Sequence, residues 1–106
     1  MHIISIINII NMFIILVNYK VSIAEIEKNL VPHVEFLKKQ YKAGNFMASG
    51  RRVPRTGGVV LSNMKDKTEL EEILNQDPFK INNLADFEII EFVPNTTNKQ
   101  LSFLMD

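Results

Sequence analysis

The side chains best suited to chemistry in this sequence are one histidine, one aspartate and a short run of serine, glycine and arginine. Of the two histidines, His2 sits in an Ile-rich opening stretch, whereas His33 follows Pro32 at the start of an amphipathic run, one turn before Leu37. A half-buried imidazole at that point can take up and give back a proton, which is the work of a general acid–base. It needs a partner to set its tautomer. Asp77 is the best carboxylate for this, because it falls at the exit of a second helix that should lie beside the first. Spacing alone leaves another reading open, in which Asp77 closes the turn before Pro78 and a His–Asp contact merely braces two helices.

Ser49-Gly50 ends a short strand, where a hydroxyl and a backbone N–H can face a cleft; equally, the glycine can serve only the bend. The Gly-x-Ser-x-Gly context of a hydrolase nucleophile is missing. Arg51, Arg52 and Arg55 form a local basic cluster, with Arg55 the candidate to hold a carboxylate or enolate oxygen of a ligand. A solvated charged loop accounts for the same residues equally well. Gly57-Gly58 is too short for a phosphate loop. No metal or organic cofactor is implied.

The elements that must position these groups follow from pattern and breakers. Met12 to Asn18 is a continuous β-branched and aromatic run, which reads as a strand buried on both faces. Ser22 to Asn29 reads as a polar turn. Pro32 suits a helix's first turn, so the main helix runs from about Val31 to Ala43, buries Val34, Leu37 and Tyr41, and stops at Gly44. Phe46 to Ser49 and Val59 to Asn63 are short strands. Asp66 followed by Glu69 starts a second helix, which ends at Asp77-Pro78. Phe79 to Leu84 is a turn, Asp86 to Val93 the last strand, and residues 95–106 a tail. The fold expected is thus α+β, in the ferredoxin-like order βαββαβ.

Size and composition set the bounds. The 106 residues hold one domain. Twelve basic and twelve acidic side chains cancel, so there is little long-range pull toward nucleic acid or an anionic membrane, and neither is expected as a partner. Without cysteine, no disulfide, thiolate nucleophile or thiolate zinc site can form, and a cytoplasmic location is expected. Met1 to Val17 looks at first like a membrane or export segment. It lacks a basic flank and a small-residue cleavage site, is broken by Ser5, Asn8 and Asn11, and is shorter than the roughly 20 apolar residues of a spanning helix. The domain (12–94) is therefore expected to begin at Met12, with residues 1–11 an upstream extension.

The strands carry a further implication. Both helices should cover one face of the sheet, yet the first strand offers apolar side chains to both faces. The last strand likewise puts Phe87 and Ile89 on one side, Ile90 and Phe92 on the other. An apolar face left bare points to a homodimer through it, unless Leu101, Phe103, Leu104 and Met105 of the tail fold back.

Four short motifs in this order resemble the YciI-like (YCII-related) family: Pro32-His33, the stop at Gly44, Ala48-Ser49-Gly50 and Asp77-Pro78-Phe79. The resemblance spans about Met12 to Val93. It implies a ferredoxin-like fold of the dimeric α/β barrel type, and an active-site pair that maps onto His33 and Asp77. Taken with the residues above, the expected function is general acid–base chemistry (proton transfer, isomerisation or elimination) on a small organic, anionic substrate, with Ser49, Gly50 and Arg55 around the ligand. The rival is a non-catalytic binding or accessory dimer in which the pair is structural. Where the family commonly has Gly-Pro this chain has Gly50-Arg51, a departure that points to a different cleft rim and ligand.

Overall fold

A computed structural model describes residues 11–106. Its elements are β1 (Met12–Tyr19), α1 (Ile23–Lys28), α2 (Leu30–Lys42), β2 (Ala48–Arg51), β3 (Gly57–Ser62), α3 (Lys67–Leu74), α4 (Pro78–Ile81) and β4 (Ala85–Phe92). A 3₁₀ helix follows at Lys99–Met105, where the sequence suggested only a polar linker. The strands form one antiparallel sheet in the order β2-β3-β1-β4. This is the ferredoxin-like arrangement expected from the element order. The expected extension at residues 1–11 lies outside the described residues except for Asn11. That side chain is buried and donates to the Lys65 carbonyl and to Glu91.

Period-two alternation sorts the sheet into two faces. Phe13, Ile15 and Val17 of β1, with Val60 of β3, point to the helices and join Phe36, Leu70, Leu74 and Phe79 in the core. Burying each such side chain contributes about 1.5–3 kcal/mol. Ile14, Leu16, Val59 and Leu61 point the other way, in register with Ile90 and Ala48. No described residue covers that face fully: Ile90 and Phe92 are each 39% exposed. Of the tail's apolar side chains, Leu104 is buried while Leu101 and Phe103 stay exposed, so the tail covers the sheet face at most in part.

Besides the tail helix and β2, which runs over Ala48–Arg51 and not Phe46–Ser49, the structure differs from the sequence reading at three places, each with a local cause. Residues 23–28 are a helix and not a turn, because the Ser22 hydroxyl accepts from the Glu25 N–H and caps it. Asn29 then ends α1, its side-chain amide donating to the Glu25 carbonyl. α2 buries Phe36 and Gln40, with His33 and Leu37 beside them, and leaves Tyr41 more than a third exposed. Asp77-Pro78 also opens a helix: the Asp77 carboxylate caps α4 and Pro78 stands in its first turn, where a missing N–H costs nothing. Gly44 stops α2 as expected, at φ 79°, with Asn45 N–H bonded to the Gln40 carbonyl and Gly44 N–H to that of Tyr41.

Gly57 is required for a different reason. It opens β3 where β1 passes so closely that a Cβ would sit 1.8 Å from the Val17 carbonyl oxygen. Gly57→Ala should therefore push the two strands apart, costing about 1–3 kcal/mol or more. The expected result in thermal denaturation is a fall in Tm on the order of 10 °C.

Candidate active site

A cleft of about 430 Å³ opens on the helix-covered side of the sheet, between α1–α2 and the β2–β3 edge. Val17, Leu30, Val34, Leu37, Val60 and Phe79 make it largely apolar, and His33, Glu27, Ser49, Arg51 and Arg55 supply its polar groups. Its size and lining suit a small organic molecule fixed by a few polar contacts.

His33 enters this cleft because α2 is re-aimed at Asn29, which is both the last cap of α1 and the residue before α2. The His33 Nδ1–H donates to Asp77 Oδ1 at 2.8 Å. The same oxygen accepts the Phe79 backbone N–H at 2.9 Å, so it acts as an acceptor on both sides. A carboxylate accepting at Nδ1 fixes the tautomer and leaves Nε2 without a partner among the described residues. Phe79 completes the mount: its ring lies parallel to the imidazole, centroids 3.8 Å apart, and Tyr19 meets Phe79 edge-on at 6.0 Å. Asp77 is 2% exposed and lies behind the histidine, away from the cleft wall, so it can act on a ligand only through His33.

The other residues singled out from the sequence lie across the cleft. Ser49 and Arg51 project from the same face of β2, in register with Val60 and Gly58. Gly50 contributes to the rim. The Ser49 hydroxyl is hydrogen-bonded to that of Tyr41 at 2.5 Å, which ties the edge strand to the end of α2. The arginine cluster is divided. Arg55 lines the cleft but pairs with Glu27 of α1 at 3.5 Å, Arg52 donates to Asn18 Oδ1, and Arg51 has no carboxylate partner among the described residues. Sequence reasoning thus brought His33, Ser49, Gly50 and Arg55 to one cleft with Asp77 behind it, and missed Glu27, Tyr41 and the stacking role of Phe79. Glu27 was hidden because its helix was read as a turn; the Ser22-x-x-Glu25 spacing was the available signal. Among the described residues no group of three or more His, Asp or Glu is placed to hold a metal ion, and no helix is long and apolar enough to cross a membrane.

A model of the YCII-related domain matches residues 12–93. No curated protein matches the sequence. Among solved structures the chain is similar to 5-chloro-2-hydroxyhydroquinone dehydrochlorinase (TftG) from Burkholderia phenoliruptrix AC1100, in its complex with 2,5-dihydroxybenzoquinone. The TM-score is 0.65 and the identity 14%, over 81% of this chain and 95% of that one. It is also similar to a mutant of SnoaB, a cofactor-independent oxygenase from Streptomyces nogalater, with a TM-score of 0.47 and 17% identity over 84% of this chain and 96% of that one. The first likeness bears out the ferredoxin-like fold of the dimeric α/β barrel type.

Proposed function

The chain belongs to the YCII-related domain family, and from that premise we propose that it is a small-molecule enzyme in which His33, oriented by Asp77, is the general acid–base. The observation that carries this reading is the imidazole on the wall of an apolar cleft, bonded at Nδ1 and stacked on Phe79, with Nε2 unpartnered. Nε2 takes a proton from a C–H or O–H of the substrate, and the electron pair left behind moves onto a substrate oxygen as an enolate or phenolate. Returning the proton to another carbon is isomerisation; loss of a leaving group instead is elimination. The carboxylate of Asp77 stabilises the imidazolium between these steps. Ser49 and the Gly50 backbone at the far rim hydrogen-bond the substrate oxygen on which negative charge develops, and no step calls on a metal or organic cofactor.

The test is to incubate small cyclic and acyclic organic acids with the protein in D₂O and follow loss of C–H signals by proton NMR. Exchange that depends on His33 supports the reading; exchange that survives its replacement sinks it. A dehydrochlorinase that shares the fold and is bound to a ring compound makes cyclic acids the first to try. A second reading rests on Asp77 itself. Its oxygen caps α4 as well as holding His33, so the pair also braces two helices, as in a non-catalytic binding module.

We further propose that the bare sheet face is covered by a second copy of the chain. The face is self-complementary. Ile90 and Phe92 stand out on β4 at one edge, and a hollow of about 210 Å³ beside Ala48 and Gly50 lies at the other. With a twofold axis along the strands, β4 of one copy would lie over β2 of its partner, since these are the two edges of the sheet. Ile90→Lys should convert the dimer to a folded monomer, read by light scattering after gel filtration and by circular dichroism.

A further inference from the structure

The cleft carries a charge asymmetry that the acid–base reading does not use. Its permanent cations are Arg51 and Arg55, and its one acidic wall residue is Glu27. Glu27 and Arg55 pair with each other at 3.5 Å, so their charges offset. Arg51 has no carboxylate partner among the described residues, and residues 1–10 contain no Asp or Glu to supply one. The cleft wall therefore holds one uncompensated positive charge. It stands two residues from Ser49 on the same face of β2, and the position opposite it across the ladder is Gly58, which has no side chain to crowd the guanidinium.

We propose that Arg51 with Ser49 is the binding site for a single carboxylate, or an equivalent monoanionic group, on an otherwise apolar substrate. Arg55, held by Glu27, is not available for a second one. The inference rests on the cleft being the substrate site, and it deepens that reading by naming the charge of the ligand. A guanidinium presents paired N–H donors to a carboxylate, and the serine hydroxyl adds a donor when the Tyr41 O–H is the donor in the bond between the two hydroxyls. The apolar walls then select the uncharged body.

The probes are benzoate, benzyl alcohol and phthalate, titrated against the intact protein by ¹H–¹⁵N NMR. Benzoate should shift the amides of Ser49, Gly50 and Gly58, and bind at least about tenfold more tightly than benzyl alcohol. Phthalate, with two charges, should bind no better than benzoate. Arg51→Gln should weaken benzoate about tenfold or more, and added salt should do the same more gradually. Glu27→Gln should raise phthalate affinity several-fold by releasing Arg55. His33→Gln should leave benzoate binding nearly intact, so loss of exchange chemistry in that variant is separable from loss of the anion site. The proposal is overturned if benzoate does not bind the native protein, if Arg51→Gln binds it equally well, or if phthalate already binds tenfold tighter than benzoate.

Discussion

Replacing His33 with Gln should lower turnover by roughly a hundred- to ten-thousand-fold, the range a positioned acid–base contributes, with little change in the circular dichroism spectrum. Gln is the informative choice because its amide can still donate to Asp77. The carboxylate, 2% exposed, is then not left without a donor, which would itself cost about 1–3 kcal/mol. The companion change, Asp77→Asn, keeps an acceptor oxygen for the Phe79 N–H, so the cap on α4 survives. With that oxygen kept in place for both donors, it removes the negative charge behind the imidazole, so the imidazolium loses its stabiliser. Activity should fall in that variant too, by about ten- to ten-thousand-fold. Measuring kcat and Tm for both separates catalysis from bracing. If Tm drops and kcat does not, the pair is a brace.

Phe79→Ala should be the most damaging single change to the fold near the site. The ring is almost fully buried, packs in the core and touches both Tyr19 and His33. Truncation should cost about 3–5 kcal/mol, which for a domain of this size lowers Tm by about 15 °C or more. Phe79→Leu isolates the second role of the ring. It keeps most of the apolar volume, so the stability loss should stay under about 2 kcal/mol. The flat surface 3.8 Å from the imidazole is gone, however, and the histidine is free to rotate off its bond to Asp77. Turnover should then fall by more than the stability change accounts for, as parallel melting curves and rate assays would read it.

What was legible beforehand, and what was not, divides along physical lines. The strands announced themselves through β-branched runs, and the order of elements through Pro32 and Pro78, whose rings restrict the backbone, and Gly44, which alone is free to turn left-handed at the helix end. The meeting of His33 and Asp77 was only one of the readings that order left open, and it comes about through α4, which Asp77 caps and which packs on α2. The buried line of α2 did not follow. Val34 and Tyr41 suit helical spacing as well as Phe36 and Gln40 do, and only the sheet and α4 decide which stripe is covered. The arginines were least legible of all. Arg51, Arg52 and Arg55 read as one cluster, yet strand alternation sends the first into the cleft and the second to Asn18, while the loop carries the third to Glu27. Partner choice for long charged side chains is set by elements distant in sequence.

β2 is an edge strand whose four residues are all exposed, and it carries Ser49 and Arg51, whereas the histidine mount is rooted in the core through Asp77 and Phe79. The two halves of the cleft therefore differ in how freely they can be rewritten. Substitutions at the cleft-facing positions of β2, Ser49 and Arg51, disturb no packed interior and should be nearly neutral for stability, so drift and selection can change what is bound there one residue at a time. Substitutions beneath the histidine carry a folding penalty and are held in place by it. A lineage built on this plan can diversify in substrates while its proton chemistry stays the same.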